Sequence, residues 1–262
     1  MKLSSSLLED NAFVASLKEQ YHKAKPFKHL KIDGFLNEEF ANQLYVGFPK
    51  KEELTRHYKG LNEKKSEGAN FQLFNPAFSE LRTLLNSPEF QRILKEITGI
   101  DGLFSTNDSF GSGVHQGENG SFLDVHIDFN IHHERKIHRR VNFLLYLNKD
   151  WEDEYGGALE LWNDDVTKME KAYLPLFNRC VIFEASDISY HGYSKIDVPT
   201  GVSRKSFYSY YYTPISEFTG KYHDTVFKAR PEEGFRKKVK TDVKELMKNT
   251  AKRTLLYMGI KF

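Results

Sequence analysis

Apolar positions recur along this chain with two different periods, and the change between them falls near residue 100. Before it, Phe40, Ala41, Leu44 and Tyr45 form one stripe, and residues 90–97 form another. Spacing of three and four is that of a helix burying one face. Asn37 stands where a side chain can cap the first of these, and Ser87-Pro88 sets a cap before a proline at the first helical position. After residue 100 the texture becomes short alternating runs broken by Gly, Asn and Asp, predicting strands over 113–116, 122–129, 140–148, 158–162, 179–185 and 206–213. Their spacing predicts an antiparallel double-sheet jelly roll. Phe235, Val239, Val243, Leu246 and Met247 then return to helical spacing, predicting a C-terminal helix with that stripe on the body and its basic residues in solvent. No repeat, low-complexity stretch or Pro/Gly/Ser linker divides the chain. It is expected to be one elaborated domain over residues 1–262, mainly β with flanking helices. Its parts are a helical support over 1–100, a β core over 101–213 and a basic helical tail over 214–262.

Composition agrees with that picture and narrows it. With 262 residues, 39% hydrophobic and 14% aromatic, the chain can bury a substantial core. Its one cysteine, Cys180, lies in the apolar run 179–183 and reads as a small buried hydrophobe. No stretch reaches the length of a membrane span, and Leu7-Leu8 meets Glu9-Asp10 too soon for a signal segment. The expected setting is the cytoplasm, without membrane attachment. Net charge is +2, yet residues 214–262 carry 12 Lys and Arg against 6 Asp and Glu. Such asymmetry can mark an anionic partner. The solvated face of a packed helix explains it more simply, so nucleic acid is the lesser reading of the tail.

Candidate chemistry centres on His126-Ile127-Asp128. With 10 His in 262 residues, a His-x-Asp arises by chance in about every second chain of this composition. Its setting gives it weight. Residues 122–129 alternate as a strand does, which would put both side chains on one face. A rival pair, His132 and Glu134, lies in the polar run 130–136, which reads as a loop. That run, on through His138 and Arg139, could form a lid or simply be solvated. His191, in Ser-Tyr-His-Gly-Tyr, adds a second imidazole from a distant strand. Two imidazoles and a carboxylate suit Fe(II) and leave one side of the metal open. Arg204 offers a planar fork of donors matched to a carboxylate. Ser206 shares its face, and Tyr146 could donate from the opposite wall, on a run that also turns Asn142 and Leu144 the same way. His115, Gln116 and Asn142 are candidate substrate contacts.

Taken together, Phe-Leu-Asp-Val-His126-Ile-Asp128-Phe-Asn, Tyr146-Leu-Asn-Lys-Asp-Trp151, Gly156-Gly157-Ala-Leu-Glu-Leu-Trp162, Tyr-His191-Gly and Arg204-Lys-Ser206 resemble the Fe(II)/2-oxoglutarate-dependent dioxygenases, and specifically their prolyl-4-hydroxylase-like branch. The resemblance covers about a third of the chain directly. It implies a distorted double-stranded β-helix in which His126, Asp128 and His191 hold iron. It further implies that Arg204 holds the distal carboxylate of 2-oxoglutarate, assisted by Tyr146 and Ser206. The expected reaction hydroxylates an unactivated C–H with O₂, releasing succinate and CO₂, with ascorbate as a candidate reductant. A prolyl residue of a peptide or protein is the first substrate to expect. A sugar, a nucleotide-linked precursor or another small metabolite is the alternative, and a non-catalytic jelly-roll module that binds metal or ligand is the alternative of another class.

Overall fold

Side chains of Asp10, Asn37, Asn75 and Ser87 cap the starts of four helices. The computed structural model describes residues 2–132, 134–215 and 220–257. Helices α1 (Ser5–Glu9) and α2 (Asn11–Lys23) lead into strand β1 (His29–Asp33), followed by α3 (Glu38–Val46), β2 (Arg56–Lys59), β3 (Glu63–Gly68), α4 (Pro76–Leu85) and α5 (Pro88–Thr98). Asn37 accepts the Phe40 N–H at 2.8 Å and Ser87 the Phe90 N–H at 3.2 Å, each filling one of the donors a helix start leaves open. The β region then runs β4 (Ser112–Gly117), β5 (Phe122–Ile127), β6 (Ile131–His132), β7 (Ile137–Tyr146), β8 (Leu159–Trp162), β9 (Met169–Tyr173), β10 (Arg179–Glu184), β11 (His191–Tyr193), β12 (Arg204–Pro214) and β13 (Val226–Phe227), and α6 (Phe235–Tyr257) ends the described chain.

All strand pairs are antiparallel, and the sheet order is β1-β10-β7-β12-β4-β3-β5-β11-β8-β9. Four strands, β10-β7-β12-β4, make one side of a curled sheet and β5-β11-β8-β9 the other, joined through β3. This is the double-stranded β-helix. Alternation along β7 sorts the two environments. Val141, Phe143 and Leu145 point into the main core beneath the N-terminal helices, while Leu144 and Tyr146 line the interior. Phe143 meets Phe35 and Phe90 edge-on at centroid distances of 5.1 and 5.9 Å, the arrangement aromatic quadrupoles favour. Cys180 is fully buried among these residues, and burial pushes its thiol well above its ordinary pKa.

Two expectations change. The first hundred residues are helical but also supply β1, β2 and β3, and β3 bridges the two halves of the sheet by pairing with β4 and β5. Its run Glu63-Lys64-Lys65-Ser66-Glu67 shows no apolar alternation because its ladder bonds are backbone bonds. The C-terminal helix forms, but with the opposite face inward. Phe235, Leu246 and Met247 are 79%, 70% and 68% exposed, while Thr241, Glu245 and Asn249 are buried. The platform beneath α6 is polar. Asn62 donates to Thr241 at 2.9 Å, Lys237 reaches the buried Asp124 at 2.8 Å, and Asn249 accepts the Asp224 N–H at 2.9 Å. Among the described residues, no helix is long and apolar enough to cross a membrane.

Candidate metal centre

Antiparallel register sets the site. His126 on β5 stands directly opposite His191 on β11, with ring centroids 4.3 Å apart. Asp128 follows one residue after β5 ends, so the chain turn, as well as strand alternation, brings its carboxylate to them. Its oxygens lie 3.6 Å from His126 Nε2 and 3.5 Å from His191 Nε2. Ligand atoms of all three fall within 4.8 Å of one another, the one such cluster among the described residues. Nδ1 of His126 is held by the Asp124 carbonyl and Nδ1 of His191 by the Ser189 carbonyl, each at 2.9 Å. An Nδ1–H donated to a carbonyl leaves the Nε2 lone pair for a metal.

Electrostatics favours the ligating forms. Burial, then the neighbouring His126, lowers the His191 pKa to about 3, so this imidazole is neutral near pH 7. Burial alone would raise Asp128, but Arg139 and His191 override it and hold the carboxyl well below its ordinary value. Arg139 Nη2 and Asn142 Nδ2 both donate to Asp128 Oδ2, at 2.9 and 2.8 Å, and Oδ1 is left turned toward His126. The donor set and its second layer therefore fit a divalent ion of the Fe(II) kind.

Beside the triangle, a cavity of about 70 Å³ is lined by Arg204, Tyr146, Ser206, His115, Tyr193 and Lys65, among others. Arg204 donates through Nε to the Gly157 carbonyl at 2.7 Å and through Nη2 to the Tyr146 hydroxyl at 3.3 Å. Its guanidinium carbon lies 4.2 Å from the centroid of Tyr193. Gly157, at φ +70°, makes this seat possible, since a Cβ there would stand 2.6 Å from Ile196 Cγ2 and 3.2 Å from Arg204 Cδ. A buried cation thus stands between two phenols beside the triangle.

Other expected contacts take different places. His115 lines this cavity but is committed to Glu67 at 3.3 Å and stacks on Tyr208. Gln116 lines a separate cavity and donates to Ser203 at 3.0 Å. Asn142 lines the same cavity as His115 and engages its amide with Asp128 and with Arg139 Nε, at 2.8 Å each. In the run after Asp128, Ile131 and His132 pair with His138 and Ile137 as β6 and β7, and residues 134–136 are a turn. There His132 is buried and held by Asp108 at 3.1 Å, away from the triangle. His133, named with that run, lies outside the described residues.

Sequence reasoning missed Arg139 and Lys65. The β7–β12 register slips between Tyr211 and Tyr212, so that Tyr211 pairs with Val141 but Tyr212 with Arg139. An extra residue on one strand reverses the side-chain direction, and this turns Arg139 inward, where it stacks 3.4 Å from the Tyr210 centroid. Its Nη1 is buried without a hydrogen-bond partner among the described residues. Lys65 comes from the charged run of β3, and Glu67 and Glu63 raise its pKa against the effect of burial.

Residues 112–212 match the 2OG-Fe(II) oxygenase superfamily, the span that holds the triangle and the Arg204 cavity. The part of the chain that holds the candidate site is thus the part that matches a 2OG-Fe(II) oxygenase domain. Members of this superfamily use Fe(II), 2-oxoglutarate and O₂, and the chain is 28% identical over 201 residues to prolyl 3-hydroxylase OGFOD1 of Mus musculus. That match takes in 72% of this chain and 33% of the mouse protein, so the chain spans about a third of the length of this curated relative. In fold, it resembles a Pseudomonas putida prolyl-4-hydroxylase with a TM-score of 0.55 at 16% identity, covering 76% of this chain and 98% of that one. It also resembles a Trichoplax adhaerens prolyl hydroxylase, solved in complex with a hypoxia inducible factor oxygen degradation domain peptide. There the TM-score is 0.57 at 16% identity, over 79% of this chain and 95% of that one.

Proposed function

We propose that this oxygenase hydroxylates a prolyl residue of a peptide or protein, with 2-oxoglutarate converted to succinate and CO₂. In this reading His126, Asp128 and His191 hold Fe(II), and Arg204 with Tyr146 receives the distal carboxylate of 2-oxoglutarate, with Ser206 beside them. The observation that carries it is the adjacency of the buried His-Asp-His triangle to the one cavity where Arg204 is seated between Tyr146 and Tyr193. Both the mouse relative and the two structural neighbours are prolyl hydroxylases by name.

When bound, the iron supplies the O₂ chemistry, and the protein's part is positioning and exclusion of water. Arg204 and Tyr146 fix one end of the co-substrate. Arg139 and Asn142 keep Asp128 ionised and turned to the metal. Arg139 Nη1, without a hydrogen-bond partner among the described residues, is the donor available to a carbonyl or carboxylate placed beside the metal. A wider cleft of about 450 Å³ reaches His126 and Asp128 from outside, lined by Phe110, Phe129, Tyr208 and Phe227, and gives a peptide access. No side chain there is required as nucleophile or general base.

The test measures succinate formed from 2-oxoglutarate with Fe(II) and ascorbate, in the presence of proline peptides or nucleotide sugars. Proline peptides should stimulate turnover and gain one oxygen on proline. Stimulation by sugars alone rejects the prolyl reading while leaving the iron and 2-oxoglutarate assignment standing.

A further inference from the structure

Lys240, Lys244, Lys248 and Lys252 recur every four residues along α6, a spacing that stacks side chains along one side of a helix. The last three line the cleft above His126 and Asp128, together with Arg56 from β2, whereas Lys240 does not. They come from the inward side of α6, which Asn62, Asp124 and Asp224 anchor. Cations outnumber carboxylates in this cleft. Six are present, Arg56, Lys65, Arg139, Lys244, Lys248 and Lys252, against Glu63, Glu67, Asp128 and Asp224. Glu63 and Glu67 both face Lys65, and Asp128 belongs to the metal triangle. Asp224 pairs with Lys252 at 2.7 Å and lies 4.0 Å from Lys248, which Glu245 also meets at 2.5 Å from within the helix. Lys244 has no carboxylate within ion-pair distance among the described residues; its ammonium meets the Asn62 amide oxygen at 3.3 Å and lies 5.7 Å from the Phe227 ring centroid.

We propose that Lys244 and Lys248 of α6 make the cleft a docking groove for an acidic peptide segment next to the residue that reaches the metal. This rests on the prolyl reading and names the class of peptide it takes. Four residues of helix rise about 6 Å, and two residues of an extended chain advance about 6.6 Å. Carboxylates at alternate positions of an extended peptide therefore match successive lysines. Glu63, Glu67 and Asp224 in the same cleft would repel a continuous polyanion but tolerate a peptide bearing one or two carboxylates, which favours peptide over nucleic acid.

The experiment uses fluorescence anisotropy on the full chain with a labelled proline peptide carrying Glu at alternate positions, its Gln counterpart, and a single-stranded oligonucleotide. The Glu peptide should bind about 10-fold more tightly than the Gln peptide, as two partly exposed ion pairs allow, and the gap should close as salt rises. Lys244→Glu with Lys248→Glu should bring the Glu peptide down to the affinity of the Gln peptide, which itself stays unchanged. Lys244→Gln, which spares the ion pairs of Lys248, should lose about threefold for the Glu peptide alone. Lys240→Glu reverses one charge outside the cleft and should do nothing. Equal binding of the Glu and Gln peptides, or equal loss in Lys240→Glu, overturns the groove. So does an oligonucleotide that binds more tightly than the Glu peptide and is lost with the same variants. Succinate assays on the two peptides separate the readings: equal KM for both removes the groove but keeps prolyl hydroxylation, while selective binding of the Glu peptide without oxidation of proline removes the latter alone.

Discussion

Single side chains at this site do work that their chemical type permits but does not dictate. His126 and His191 are poised by carbonyls behind them, and Asp128 by Arg139 and Asn142. Replacing Asp128 with Ala should abolish both tight Fe(II) binding and turnover, whereas Asn142→Ala should lower metal affinity about 10- to 100-fold, as loss of a supporting donor does; titration calorimetry with Fe(II) under anaerobic conditions would read both. Arg204→Ala should raise the KM for 2-oxoglutarate about 30- to 100-fold, the loss of a charge-assisted hydrogen-bonded partner worth about 2–3 kcal/mol. Gly157→Ala should do nearly as much without touching the guanidinium, because its new methyl meets Ile196 and Arg204 Cδ. An unchanged KM in Gly157→Ala would show that the Arg204 seat tolerates displacement. His126, His191, Arg204 and Tyr146 were legible from residue type and spacing. Arg139 was not, because a one-residue slip in register decides which way it points.

Elements show the same division. Capping residues and apolar period located α3 and α5 to within a residue, since both signals are local. Six strands were legible from alternation, β11 was expected only as the strand that carries His191, and β1, β2, β3, β6, β9 and β13 were not legible. β11 has three residues and β3 is charged, and both exist because neighbouring strands offer backbone partners. Period also announced α6 while misplacing its face. Polar groups of the body, Asn62, Asp124 and Asp224, draw in Thr241, Lys237, Asn249 and Lys252, and the apolar stripe is left outside. Leu246→Ser should therefore shift stability by less than about 0.5 kcal/mol, whereas Asn62→Leu should cost about 1–3 kcal/mol by removing the Thr241 hydroxyl's amide partner and one of the donors to buried Asp124. Denaturant midpoints of the two variants would distinguish the faces, and a larger loss in Leu246→Ser would mean that the stripe is covered.

For the molecule as a whole, burial of uncharged imidazoles sets the acid limit of stability. Burial, then Lys65, lowers His115 to about 4, and burial, then Arg140, lowers His138 to about 4, both from an ordinary value of 6.5. Between those values the unfolded chain takes up protons that the folded chain refuses. Their contribution is complete above pH about 6.5 and is lost as pH falls toward about 4. The Tm of the metal-free protein should fall across that window, and His115→Gln should flatten the fall; a pH-independent Tm there would contradict the neutral state. The sequence alone determined the elements with strong local signals, the chemistry of the candidate ligands and the class of fold, because caps, periodicity and donor types are properties of short segments. Tertiary structure alone decided that β3 and β13 flank the metal strand, that Arg139 and Lys65 enter the interior, and that α6 lines the cleft with lysines instead of burying its apolar stripe. Each of these depends on which distant partner meets a segment. A chain's local period carries no record of whether that partner is polar or apolar.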